Sequence, residues 1–187
     1  MFLAVDIGNS SIKFGIFEGS ALFQKFTIQT KRDYTAEELL FDRFMLHESR
    51  FIQLDINVVV ISSVVPELDA VISEVCQKLF KVTATFVDSS SKFGLTIKYE
   101  PATSAGTDRL INASAAVTKY GKPVIVCSFG TATTIDAVNA SGEFLGGIIA
   151  PGMATMAESL QLKTAKLPRV EITKPKRVIG ASTESSI

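Results

Sequence analysis

The chain opens on an apolar run, Phe2-Leu3-Ala4-Val5-Asp6-Ile7, then turns polar at Gly8-Asn9-Ser10 and apolar again from Ser11 to Phe17. The pattern predicts a strand, a tight turn and a second strand, with the Asp6 carboxylate where the first strand runs out. Gly19-Ser20 makes a further turn, and Ala21 to Thr30 reads as a third strand with imperfect alternation, which completes an antiparallel meander. Thr35-Ala36-Glu37-Glu38 is a capping box, and Leu39, Leu40, Phe44 and Met45 give the following helix an apolar face that ends near Arg50. Asn57 to Ser62 is a β-branched run expected of a strand covered on both faces. Pro66 then opens a helix with the stripe Leu68, Val71, Ile72, Val75, Cys76 and Leu79, and Val82 to Val87 is the next strand. Strand, helix and strand in that order predict a right-handed crossover in a mixed sheet.

Asp88 to Lys92 is loop-like, Leu95 to Tyr99 is a short strand or extended segment, and Pro101 to Gly106 carries the chain to a helix over Thr107–Tyr120. The apolar positions of that helix are Leu110, Ile111, Ala113, Ala116 and Val117; Gly121 and Pro123 stop it. A second meander follows at 124–128, 132–138 and 143–149, with Asn139-Ala140-Ser141-Gly142 between its last two strands. Pro151-Gly152 introduces a helix from Met153 to Thr164, where Met153 and Met156 read as packing residues. Leu167 to Val178 looks irregular, and Gly180 to Ile187 begins another helix with Ser182 or Thr183 near its cap.

Cys127-Ser128-Phe129-Gly130-Thr131-Ala132-Thr133-Thr134-Ile135-Asp136 repeats the layout of the first turn, with Gly130 at the place of Gly8, Thr131 at that of Asn9 and Ser128 at that of Asp6. Two such units predict a duplicated α/β fold that faces a shared cleft. The second half has no crossover to match 57–87, so the expectation is a fragment that lacks ~60–80 residues of a typical second lobe.

Composition narrows this picture. The 187 residues are 47% hydrophobic and 20% charged, enough for one sizeable core or two small ones. Nineteen basic and nineteen acidic residues give no net charge, so no nucleic-acid footprint is expected, and Lys174-Pro175-Lys176-Arg177 reads as a solvated connector. No apolar run reaches the roughly 18 residues of a membrane span, and the start lacks a signal-peptide pattern, so a cytoplasmic location with no membrane partner is the expectation. Cys76 and Cys127 are expected to be buried free thiols, and His47, the only histidine, a structural residue. A histidine-based triad is excluded by supply.

Gly106-Thr107-Asp108-Arg109 is a polar cluster at the head of an apolar helix. It reads either as a helix cap with a surface arginine or as chemistry. In the second case Asp108 takes a proton from a substrate hydroxyl, and Arg109 holds an anionic substrate or steadies the acceptor. Phosphoryl transfer asks for in-line placement and neutralisation of developing charge. Backbone N–H groups at Gly8 and Gly130 and the side chains of Asn9, Ser10, Lys13, Thr131 and Thr133 could supply donors, and Asp6 could orient Mg²⁺. Neither turn is a Walker loop, and no Gly-x-Gly-x-x-Gly follows a strand.

Taken together, Asp6-Ile7-Gly8-Asn9-Ser10, Tyr99 with Gly106-Thr107-Asp108-Arg109, Gly130-Thr131-Ala132, Gly146-Gly147-Ile148-Ile149-Ala150-Pro151-Gly152 and Thr183 resemble the motifs of the type III pantothenate kinases. That family is a branch of the superfamily of acetate kinase, sugar kinases and actin. The resemblance implies duplicated ribonuclease-H-like (actin-like ATPase) domains: residues 1–105 with the first phosphate motif, and a partial second domain, 106–187, with the acceptor helix and second phosphate motif. It implies a cytoplasmic homodimer that phosphorylates pantothenate to 4'-phosphopantothenate from ATP, the first step of coenzyme A biosynthesis, with Mg²⁺ and a monovalent cation, K⁺ or ammonium. Asp108 would be the general base. Tyr99, Gly106, Thr107, Asp108 and Arg109 would bind pantothenate, and Thr183 would reach the site of the neighbouring subunit. Asp6, Gly8, Asn9, Ser10, Lys13, Gly130, Thr131 and Thr133 would hold the nucleotide, with Asp6 and Ser128 at the metal; the adenosine-contacting segment would lie beyond Ile187. Ser128 departs from the family pattern, which has an acidic residue there. It implies altered cation handling, or coordination through the hydroxyl or a water. Two alternatives remain open: a weak or inactive relative that binds nucleotide or pantothenate in a regulatory role, and a kinase of another small hydroxy acid or sugar.

Overall fold

The computed structural model describes residues 1–41 and 54–187. Its first sheet has the order β3-β2-β1-β4-β5, built from β1 (Phe2–Ile7), β2 (Ser11–Glu18), β3 (Ala21–Gln29), β4 (Val58–Ser63) and β5 (Thr85–Val87). The first three strands form the expected meander, and β4 and β5 add in parallel to its inner edge. Alternation decides the faces: Leu3, Val5 and Ile7 of β1, Ile12, Phe14 and Ile16 of β2, and Val59 and Ile61 of β4 are all buried on one side. Helix α2 (Asp69–Phe80) covers that side with Ile72, Val75 and Cys76. Asp6 and Lys13, cross-strand partners, project from the opposite face.

The Thr35 hydroxyl caps α1 (Ala36–Glu38) by accepting from the Glu38 N–H at 3.1 Å. The expected continuation toward Arg50, with Phe44, Met45 and His47, lies outside the described residues. β5 is shorter than its apolar run, because only Thr85–Val87 have ladder partners on β4. Lys81 ends α2 in a left-handed conformation (φ 59°), and Val82 and Ala84 pack on the core without joining the sheet. β4 is also less covered than a strand buried on both faces, since Val58 is half exposed.

The second sheet has the order β6-β9-β8-β7, with β6 (Thr96–Ile97), β7 (Val124–Phe129), β8 (Ala132–Val138) and β9 (Glu143–Pro151). Three antiparallel strands are joined by a parallel β6, so this sheet is mixed as well. Helix α3 (Thr107–Tyr120) has the predicted bounds and packs Leu110 and Ala113 against Val138 and Phe144. It also touches β7, β8 and β4, so it packs against strands of both sheets.

The far face of the second sheet is bare among the described residues. Ile125 and Phe129 are 70% exposed and Ile148 63%. Cys127 shares that face and is exposed, which corrects the expectation of two buried thiols; Cys76 is buried, and burial pushes its thiol up to about 12. Helix α4 (Met153–Lys163) has no buried residue, so Met153 and Met156 are not core packing either. The chain ends in α5 (Thr183–Ser186), capped by Ser182. No helix among the described residues is long and apolar enough to cross a membrane.

Candidate active site

The first turn is tied from within. The Gly8 N–H donates to the Ser11 carbonyl at 3.0 Å, the Thr30 hydroxyl donates to the Gly8 carbonyl at 2.6 Å, and the Thr30 N–H donates to the Ser10 carbonyl at 3.1 Å. Those bonds satisfy the turn backbone from its β3 side and leave Asn9 and Ser10 exposed at the tip. Lys13 Nζ lies 2.9 Å from Asp6 Oδ2, with both side chains largely exposed. An ion pair in that setting is worth about 0–1 kcal/mol, so it is readily exchanged for another partner.

The second turn is built differently. Its Gly130 N–H donates to the Ala132 carbonyl at 3.0 Å, and its Thr131 carbonyl accepts from the Gly152 N–H at 2.9 Å and the Thr155 hydroxyl at 2.8 Å. The two tips meet: Ser10 Oγ and Thr131 Oγ1 are 2.5 Å apart, a hydrogen bond between residues far apart in sequence. Thr133 lies on the bare face of the second sheet, opposite Phe129, while Ser128 turns toward α3. Ser128 lines a cleft of about 270 Å³ with Asn112, Ala115, Ala116, Lys119 and Tyr120.

The polar cluster sits at the head of α3. Gly106 begins the helix by accepting from the Arg109 and Leu110 N–H groups, and Asp108 is half-buried within the first turn. A Cβ at Gly106 would stand 2.6 Å from Asp108 Oδ1, so the bare Gly106 is what lets the carboxylate lie where it does. Gly106→Ala is accordingly expected to displace that carboxylate at little cost to folding, because only the tip of one side chain must move. Turnover should fall tenfold or more, since a misplacement of ~1 Å can cost about 10²-fold; steady-state kinetics beside a thermal melt will check it. An unchanged kcat would mean that the carboxylate's present position is irrelevant.

Arg109 is not the surface arginine of the cap reading. It is 5% exposed and paired with Asp136, itself 2% exposed. Arg109 Nε donates to both carboxylate oxygens, at 3.1 and 3.2 Å, and Nη2 donates to Oδ1. Nη1 reaches the Tyr99 hydroxyl at 3.4 Å. The bond to Asp136, more than the bond to Tyr99, holds the guanidinium above its ordinary pKa. Tyr99 in turn packs against Gly146, where φ is 89° and a Cβ would lie 2.8 Å from the ring. The structure therefore joins Tyr99 and Arg109 directly, next in the chain to Gly106, Thr107 and Asp108. Thr183 is elsewhere, in an open cleft with Leu160, Leu167 and Ser186.

Three residues were not anticipated. Asp136 is the partner of Arg109. Arg32 bonds Glu67 at 2.6 Å and reaches Asn9 Oδ1 at 3.5 Å, which adds a cation beside the first turn. Ser62 Oγ is buried without a hydrogen-bond partner among the described residues, and Ser62 is the β4 residue in register with Asp6. Parallel partners share a face, so the hydroxyl and the carboxylate project to the same side. An orphaned buried hydroxyl is a place for a water or ion, and it fits a Mg²⁺ that keeps most of its waters and takes one carboxylate from the protein. Among the described residues no three His, Cys, Asp or Glu side chains converge, so the donor set does not form a cage for a resident metal.

The profile of the type III pantothenate kinases matches residues 2–187, and the chain belongs to that family. These are phosphotransferases whose general reaction is the ATP-dependent phosphorylation of pantothenate. Among solved structures, the chain is similar to a conserved protein of Campylobacter jejuni assigned to the Baf family of transcriptional activators, with 22% identity and a TM-score of 0.56 over 99% of this chain and 71% of that one. It is also similar to the ethanolamine utilization protein EutJ of Carboxydothermus hydrogenoformans, with 12% identity and a TM-score of 0.50 over 87% of this chain and 56% of that one. At these identities the likeness is one of fold.

Proposed function

We propose that this chain carries the two phosphate turns and the acceptor site of a pantothenate kinase that transfers the γ-phosphoryl group of ATP directly to the terminal hydroxyl of pantothenate. The observation that supports the reading is the contact between the tips of the two turns at Ser10 and Thr131, which brings the two turns together. Asn9, Ser10 and Lys13 from one side and Thr131 from the other would donate to the phosphates, while Gly8 and Gly130, whose N–H groups close their own turns, would leave room for them. Asp108 accepts the proton of the acceptor hydroxyl as its oxygen bonds to phosphorus and the bond to ADP breaks. Arg109 and Tyr99 orient the acceptor beside it, with Gly106 and Thr107. Asp6, with Ser62 nearby, would hold Mg²⁺, which would supply charge neutralisation at the transferred group. Ser128 would hold a monovalent cation, K⁺ or ammonium. In this reading 1–105 and 106–187 are the two lobes, the protein is a cytoplasmic homodimer, and Thr183 contributes to the partner's acceptor site.

The test is pantothenate-dependent ADP release by the purified full-length protein, with Mg²⁺ and K⁺ present and pantothenate omitted as the control. Release that requires pantothenate is the expected result. Ser128 supports a second reading, a relative that binds without turnover, because a neutral hydroxyl cannot replace a carboxylate at a cation. Binding of pantothenate by calorimetry with no ADP release, restored by Ser128→Asp, would establish that reading instead.

A further inference from the structure

We propose that Asp136 is a positioning residue for acceptor recognition: it fixes the Arg109 guanidinium through its Nε–Nη2 edge, balances its charge, and leaves the other end of the fork, led by Nη1, to face Tyr99 and the acceptor. This rests on the acceptor site just described. Arginine carries five N–H donors in a rigid planar fork, and a carboxylate that takes one edge of that fork dictates where the other points. Here the fork is held at one edge and against two aromatic rings. Asp136 occupies one edge, and the rings of Tyr99 and Phe144 flank the guanidinium with their centroids 5.1 and 5.7 Å from its carbon.

The mounting of Asp136 is equally fixed. It lies on the face of β8 that looks toward α3, in register with Val126 of β7 and Gly147 of β9. A Cβ at Gly147 would come within 1.8 Å of the Ile135 carbonyl oxygen and 2.8 Å of the Asp136 Cα. The backbone of β9 therefore presses directly on β8 at this level, and Asp136 has no slack along the sheet. The pairing also changes what Arg109 can recognise. A buried arginine neutralised by its own carboxylate is a poor general anion trap but a precise directional donor. The acceptor it suits presents an oxygen to Nη1 and the Tyr99 hydroxyl together, so the site selects by hydrogen-bond geometry more than by net charge.

The experiment compares the full-length protein with Asp136→Asn, which keeps the shape but loses the second acceptor oxygen, and Asp136→Glu, which keeps the charge but moves it. Both are expected to raise the KM for pantothenate tenfold or more, with the KM for ATP unchanged within twofold and kcat reduced far less. Calorimetric titration with pantothenate alone should show the same loss. On an Arg109→Ala background, Asp136→Asn should add almost nothing, because the two act as one unit. Should a single variant not fold, Arg109→Met with Asp136→Leu removes both charges together and is expected to fold yet bind pantothenate weakly. A pantothenate KM that stays at the unsubstituted value in a folded Asp136→Asn, or KM values for both substrates that move together, overturns the proposal. Absence of pantothenate binding by the unsubstituted protein is a different outcome, which overturns the functional reading itself and this inference with it.

Discussion

Asp108→Asn is expected to lower kcat by ~10²–10⁴-fold, the usual contribution of a positioned general base, while leaving pantothenate binding near its original strength. The amide keeps the size of the carboxylate and its place in the first turn of α3, where it cannot accept the proton that leaves the acceptor hydroxyl. Folding should change little. The position is half-buried with no ion pair to it among the described residues, and the favourable term lost is attraction to the helix N-terminus, about 0.3–1 kcal/mol. The measurement is steady-state ADP release beside a calorimetric titration with pantothenate. A kcat within threefold of the unsubstituted protein would remove Asp108 from the chemistry and return the cluster to a plain helix start. Gly106→Ala and Asp108→Asn address one carboxylate by two routes, position and charge, so the double variant should be no slower than Asp108→Asn alone.

The parts of the fold that could be read from sequence are those where local pattern and tertiary outcome agree. The helix over Thr107–Tyr120 is bounded by Gly106 and Gly121, and Gly121 takes φ 81° as its end. The first turn was legible because an apolar run, a glycine and three small polar residues leave the chain few other choices. What failed depends on the neighbours of an element. Cys127, Met153 and Met156 look like core residues in one dimension, and only the sheet and helix around them decide which face is covered. The shortened β5 is a matter of ladder partners, which the hydrophobic run does not encode.

The proposed acceptor site divides in the same way. Asp108 and Arg109 stand out as charges at the head of an apolar helix, but Arg109 reads equally well as a surface residue until its partner is known. That partner lies on β8, in the same phase as the buried Thr134 and Val138. The signal was present: a carboxylate on the inward phase of a strand demands a cation, because an unpaired buried charge is prohibitively costly. Ser62 carried no comparable signal. A serine at the end of a β-branched run is ordinary, and only its lack of a partner beside Asp6 singles it out.

Gly152→Ala is expected to damage folding and nucleotide binding together, because that glycine is where the second turn leans on the start of α4. Its backbone is extended (φ −70°, ψ 166°), so conformation is not the obstacle. Space is. A Cβ there would lie 2.0 Å from the Gly130 carbonyl oxygen and 2.7 Å from that of Thr131, both backbone atoms that cannot swing aside as a side chain would. Relief requires either the turn or the helix to move, and overpacking of this kind costs about 1–3 kcal/mol or more. At ~2–4 °C per kcal/mol for a chain of this size, a loss of several degrees in Tm follows. Moving the turn also breaks the Gly152 N–H bond to the Thr131 carbonyl and withdraws Thr131 from Ser10, so ATP affinity should fall by at least tenfold. Thr155→Val provides the graded comparison. It deletes only the 2.8 Å bond from the Thr155 hydroxyl to the same carbonyl, a change of about 0.5–1.5 kcal/mol, and should weaken ATP binding less. If Gly152→Ala melts lower yet binds ATP normally, the second turn is a structural support and the phosphate contacts belong to the first turn alone.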